Sequence, residues 1–461
     1  MHSVAFGCLP NGTRTVVIHR PHLHRAAVTA LVGVGSRYET PTNNGLSHLL
    51  EHMLFRGTAQ HTDAHALNDA IERLGGDLTA TTHSDYSTYE LSVPPDAVGR
   101  ACSIVGAMLC SPAMGQLDVE KAIVREEILE NVDDDGRLLD PDILSRRQVF
   151  GKHPLGLPIT GTIANVERFT ERHLRAHHEH YYVGSNVVVA VCSPHSTERV
   201  QRMIDKGFAS LGEGDSRVPS VARVKQRRAR IDYFPRMGSQ TCVRLAFATP
   251  GEGAEMARAI EILARVLHDG MSTRLHRRIC DELGLAYDVS AGLELFRDVG
   301  VFDVGACVAH ESVPRLAREV LTMLGDLALE GPTAAEVEKA VRRYSFELDA
   351  LADDPHALAR EYGASALWGR PLDLDATRRS LANVTVESVR RAARVVFTPM
   401  RLNLTLVGDL SRDRLAAVRS AARSFRERFS RALCTGAWRP PARVLVRPAV
   451  ARAALSAAWS P

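Results

Sequence analysis

What the chain lacks narrows its class before any motif is read. It has no apolar run of membrane-spanning length, so no transmembrane helix is expected. Its first residues show neither a basic segment followed by an apolar core nor an Arg/Ser-rich leader, and the expected location is cytoplasmic. Charge of one sign is missing too: 57 basic and 54 acidic side chains leave a net +3. That balance argues for neither nucleic acid nor a membrane surface as a partner. No C-x-x-C occurs among the eight cysteines, at 8, 102, 110, 192, 242, 280, 307 and 434. Most sit in apolar runs, which reads as reduced thiols packed as small hydrophobes.

What is present fits a globular protein with two or more cores. The 461 residues are 45% hydrophobic and 24% charged. Alternating and helical periodicities predict strands over 13–19 and 26–34, then helices over 47–55 and 65–74, the second closed by Gly75-Gly76. Ser47 or a residue just before it is the expected cap of the first helix. A Thr/Tyr-rich segment over 77–93 reads as strand, followed by helices over 97–109 and 118–132. After a Gly/Pro-punctuated, basic stretch the order of strand, helices, strands, helices recurs. The expectation is α+β, with two domains of one architecture over 1–212 and 231–430 joined by a linker, 213–230. The remainder, 431–461, is a tail with five arginines, four prolines and no acid.

One pentapeptide carries chemistry. In His48-Leu49-Leu50-Glu51-His52 two imidazoles and a carboxylate fall at i, i+3 and i+4, on one face of a helix. Imidazoles one turn apart can share a Zn²⁺, and a neighbouring carboxylate can handle protons. The order is H-x-x-E-H, the reverse of the commoner zinc-protease helix. A catalytic zinc needs a third protein ligand. Glu120 and Glu127, two turns apart on the helix over 118–132, form a pair in which one carboxylate faces the metal and the other stands behind it.

With its flanks, Asn43-Asn44-Gly45-Leu-Ser-His48-Leu-Leu-Glu-His52-Met-Leu-Phe55-Arg-Gly57-Thr58 resembles the zinc-binding segment of the pitrilysin/insulinase (M16) metallopeptidases. The form is closest to the short-chain branch that includes the mitochondrial processing peptidase β subunit. Leu9-Pro-Asn-Gly12, Gly35-Ser36-Arg37, Gly75-Gly76, His180-Tyr-Tyr182 and Gly284-Leu-Ala-Tyr287 also match, and the likeness spans roughly residues 5–425. The resemblance implies two homologous α/β-sandwich domains of the LuxS/processing-peptidase-like type, forming half of a clamshell. Ile123-Val-Arg-Glu126-Glu127-Ile128 fits the family's third-ligand segment, which makes His48, His52 and Glu127 the zinc ligands and Glu120 the supporting carboxylate. Zinc would then activate a water whose proton Glu51 takes, for attack on a peptide bond.

The same resemblance places substrate as an added strand beside Asp77–Ser84, with Thr79, Ala80 and Thr81 as the substrate-binding residues. Many members carry Asn-Ala where this chain has Thr79-Ala80. Catalytic second halves in the family bring an Arg and a Tyr seven residues apart. Tyr287 is present, but Cys280 stands in place of the Arg, and Arg277, one helical turn back, is the candidate substitute. Keeping the zinc motif while losing that Arg implies a second chain of the same family as partner, a heterodimer being favoured over a homodimer. A zinc endopeptidase acting on unstructured peptides or precursor segments in an enclosed chamber between the two chains is therefore expected, with a non-catalytic assembly or scaffold subunit as the rival. Other histidines are weighed down: His19, His22 and His24 read as surface groups, and His177-His178-Glu179-His180 as packing and charge at a helix C-terminus.

Overall fold

The computed structural model describes residues 3–370 and 372–435. The first half runs β1 (Ser3–Cys8), β2 (Arg14–His19), β3 (Ala26–Val32), α1 (Leu46–Leu54), α2 (Ala64–Glu72), β4 (Asp77–Thr82), β5 (Ser87–Val93), α3 (Val98–Cys110), α4 (Leu117–Leu129), α5 (Pro141–Phe150), α6 (Ile163–Arg168), α7 (Glu171–Tyr181), β6 (Val187–Ser193) and α8 (Thr197–Phe208). Residues 213–229 carry no helix or strand. The second half runs β7 (Arg230–Pro235), β8 (Gln240–Pro250), α9 (Ala257–Leu267), a π-helix (His276–Glu282), β9 (Ser290–Leu295), β10 (Val299–Ala309), α10 (Val313–Leu329), α11 (Ala334–Ala350), α12 (Pro355–Leu367), α13 (Leu374–Ala382), α14 (Val386–Val396), β11 (Asn403–Gly408) and α15 (Arg412–Cys434).

Apart from β1 the two halves repeat one plan. The sheets are ordered β1-β2-β6-β3-β5-β4 and β7-β11-β8-β10-β9. In each, one parallel pair, β2 with β6 and β7 with β11, adjoins antiparallel neighbours. The segment read from sequence as one strand, 77–93, is a hairpin, and β9 with β10 forms its counterpart in the second half. Periodicity alone runs through a turn whose residues do not break it, as at Ser84–Tyr86. Of the tail, 431–434 is the end of α15, and the segment over 436–461 lies outside the described residues.

Strands β2, β3 and β6 are apolar on both faces, which a strand needs when neither face meets water. One face, with Val17, Val28, Ala30 and Val189, packs on the first half's own helices. The other face, with Ile18, Leu31 and Ala190, meets Leu358, Ala359 and Tyr362 of α12, from the second half. The loan is returned by α5: Val149 and Phe150 cover Ala246 and Ala248 of β8 and Val301 of β10. Buried polar groups tie both crossings. Arg14 donates to the Ala366 carbonyl at 2.5 Å, and Thr405 donates to Gln148 Oε1 at 3.0 Å. A third tie is the buried Arg37, which spans Asp85 at 3.1 Å and Asp298 of the second half at 2.6 Å.

The cysteine expectation is corrected at one pair. Cys242 and Cys307 form a disulfide. The β8–β10 register sets them directly opposite, with Cα atoms 4.0 Å apart. Sequence spacing of 65 residues gives no hint of that register. The other six described cysteines are free thiols.

Candidate metal centre and active site

Helix α1 starts at Gly45, whose φ of 96° is left-handed and suits glycine. A Cβ there would also lie 2.8 Å from Gly161 Cα. With no side chain at that position, the helix amides need an acceptor from elsewhere. Glu39 supplies it, and the expected cap by Ser47 is corrected. Its buried carboxylate accepts from Gly45 N at 2.8 Å, Ser47 N at 2.7 Å and Asn44 Nδ2 at 2.9 Å. Ser47 turns its hydroxyl to His177 Nε2 instead, 3.0 Å away. Burial pushes His177 down to about 3, so this imidazole is neutral and carries no helix-terminal charge, correcting that part of the sequence reading. Glu39→Ala leaves three buried donors unpaired. The expected loss is about 3 kcal/mol in a urea unfolding curve, with a smaller loss for Glu39→Gln.

One turn apart on α1, His48 and His52 have ring centroids 4.7 Å apart. Their Nε2 atoms stand 3.5 and 3.8 Å from Oε2 of Glu127 on α4. Two ligands about 2.1 Å from a tetrahedral zinc are about 3.4 Å apart, so the donor set and its spacing fit that ion. Among the described residues these three side chains are the group that converges in this way, with all ligand atoms within 4.8 Å of one another. Behind them, His52 Nδ1 lies 3.0 Å from Glu120 Oε2, and the other Glu120 oxygen accepts from Arg56 Nε. Such a bond orients the ring and leaves its Nε2 lone pair forward. His48 lacks this brace, since its buried Nδ1 has no hydrogen-bond partner among the described residues.

The electrostatics separate the groups. Burial, helped by His52, holds His48 down at about 3, in the neutral form a metal binds. Burial lowers His52 as well, but Glu120, Glu51 and Glu127 outweigh it and the net shift is upward. Burial would raise Glu120; His52 and Arg56 carry it below its ordinary value. Burial raises both Glu51 and Glu127. Glu51 is not part of the three-residue cluster. It accepts a hydrogen bond from the Thr82 hydroxyl at the end of β4. Thr82 was missed by sequence reasoning, although it stands two positions past Ala80 and so shares its face. Glu120→Gln is expected to weaken zinc binding about 10- to 100-fold in a chelator-competition titration.

Thr79, Ala80 and Thr81 lie on β4, the edge strand, paired with Glu90, Tyr89 and Thr88 of β5. The other side of β4 meets no strand among the described residues. Thr79 and Thr81 point to solvent, and Ala80 is half-buried. Tyr287 is not brought to the cluster: it is fully exposed and makes no hydrogen bond among the described residues. Arg277 is engaged by Glu282 at 2.9 Å, in a segment that is π-helical, so a shift counted in α-helical turns does not apply.

Among the described residues the second half has no such cluster. Helix α9 and edge strand β9 correspond to α1 and β4, and they enclose a cavity of about 370 Å³. Arg265 lines that cavity, stacked 4.2 Å from the Tyr344 ring centroid and paired with Asp269 and Glu347. A cation held there excludes a second one.

The chain is a two-domain α+β protein whose first half carries a His₂Glu cluster able to hold a metal ion, and comparison with known proteins gives the family. Residues 14–163 match the family described as insulinase (peptidase family M16), and 168–344 match the peptidase M16 inactive domain. A protein described as an uncharacterized zinc protease from Mycobacterium tuberculosis (strain ATCC 25618 / H37Rv) is 31% identical over 395 residues, 84% of this chain and 89% of the relative. One from Bacillus subtilis (strain 168) is 28% identical over 84% of this chain and 94% of its own length. The crystal structure of a protease from Helicobacter pylori superposes with a TM-score of 0.80 at 19% identity, over 89% of this chain and all of that one. A Pseudomonas fluorescens structure described as a peptidase M16 inactive domain gives 0.81 at 20% identity, over 88% and 98%. The chain belongs to peptidase family M16.

Proposed function

We propose that this protein is a zinc endopeptidase of the inverted H-x-x-E-H type, cleaving unstructured peptides or precursor segments. The observation that carries the reading is the convergence of His48, His52 and Glu127 with Glu51 beside them and outside the ligand set. Zinc held by those three residues supplies a Lewis acid. The chain's own groups do the rest. Glu120 orients His52, and Arg56 keeps Glu120 charged. Glu51, buried and raised, takes a proton from water at its carboxylate and returns it to the leaving amine. The free edge of β4 at Thr79, Ala80 and Thr81 receives substrate backbone as an added strand. The rival, a scaffold subunit, has no use for a braced ligand set.

The proposal includes a second M16-type chain, supplying the Arg that Cys280 replaces and closing the chamber. Exposed Val119 and Ile123 on α4, beside Glu120 and Glu127, give such a chain an apolar face to cover. A cytoplasmic location is also part of the reading; in a reducing compartment Cys242 and Cys307, set opposite each other by strand register, stand as two packed thiols. No helix among the described residues is long and apolar enough to cross a membrane. Metal analysis with a chelator-sensitive assay on an unstructured peptide tests the enzyme. Zinc binding without hydrolysis, even with a second M16-type chain added, favours the scaffold. Full activity of the purified chain alone removes the partner.

A further inference from the structure

Just past the end of α4 the surface opens into a cavity of about 760 Å³. Asn131 lies on its wall, and its side-chain amide donates to the Glu127 carbonyl at 3.4 Å. The wall is mainly apolar, built from Ile128, Val132, Leu138, Leu157 and Ile163, and is of a size that takes a small ligand or a few peptide residues. Two cations, Arg147 and Lys152, also line it, and neither forms an ion pair with a carboxylate among the described residues. In the adjoining loop Asp134 and Asp135 are exposed, and two of the three acids are engaged within the loop itself. Asp133 accepts from the amides of Asp135 and Arg137, and Asp135 pairs with Arg137.

An apolar recess with unneutralised cations suits an apolar group that carries a carboxylate. The last residue of a peptide offers both in one unit. We propose that this cavity is a subsite for the C-terminal residue of a short peptide substrate, its apolar side chain in the recess and its α-carboxylate on Arg147 and Lys152. The inference rests on the peptidase reading above. An extended peptide covers about 3.3 Å per residue, so anchoring the terminus there sets cleavage within a few residues of it.

The test measures binding, so it does not depend on turnover. One N-terminally labelled peptide ending in leucine is prepared as free acid and as amide. Each is titrated by fluorescence anisotropy against the full-length Glu51→Gln chain. The acid is expected to bind about tenfold tighter, the value of one charge-assisted contact. Adding Arg147→Ala and Lys152→Ala is expected to bring the acid to the affinity of the amide, whereas Arg172→Ala, an exposed cation on α7, keeps the gap. Equal binding of acid and amide, or a gap that survives the double substitution, overturns the subsite. Wild-type chain that hydrolyses neither peptide, even with a second M16-type chain added, while the gap persists supports the subsite and counts against the peptidase reading.

Discussion

Glu51→Gln is expected to keep one zinc per chain and to lose about 10²- to 10⁴-fold or more of peptide turnover, the contribution of a positioned general acid–base group. The amide has nearly the shape of the carboxylate and still offers an oxygen to the Thr82 hydroxyl, so α1 and β4 stay joined. The three ligand atoms belong to other residues, and metal loading is untouched. The substitution removes the capacity to hold a proton at that oxygen. Burial raises the Glu51 pKa above the ordinary carboxylate value, which makes it a better proton acceptor than an exposed carboxylate. Zinc content by mass spectrometry and hydrolysis of a quenched peptide are the paired readouts. Normal turnover, or zinc lost along with turnover, would mean that Glu51 has another role.

Glu127→Ala is expected to abolish tight zinc binding without unfolding the chain. Two imidazoles on one helix turn remain, and a catalytic zinc takes three protein ligands. Because the Glu127 side chain is 40% exposed, its truncation opens no internal cavity. The measurement is thermal unfolding with and without added zinc. A ligand present at 100 times its Kd stabilises the folded state by about 2.7 kcal/mol, and that zinc-dependent rise should vanish in the variant. With chelator present the two proteins should unfold together. A variant that keeps the wild-type zinc response would transfer the third-ligand role elsewhere.

Parts of this site were legible in the sequence because they depend on helical periodicity, which is local. His48, Glu51 and His52 share a face by spacing, and so do Glu120 and Glu127 on their own helix. The distance between those helices is not local. Nothing in the order of residues shows that Glu39 reaches forward to cap α1, or that Thr82 meets Glu51. Likewise the pairing of Cys242 with Cys307 follows from strand register, which the β8–β10 ladder decides through all its hydrogen bonds at once.

By itself the sequence determined the chemistry available: two imidazoles and three carboxylates at fixed helical offsets, and a family likeness that reaches both halves. Only the tertiary structure decided how these groups are held. Each sheet has a second apolar face that its own half does not cover, so α5 and α12 are exchanged. Arg37 then joins Asp85, three residues past Thr82, to Asp298 of the other half. The strand end that touches Glu51 is thereby tied to a domain that has no metal cluster of its own among the described residues. The reason is physical: burial of apolar faces and satisfaction of buried charges are requirements on the whole chain, and no local pattern records where they are met.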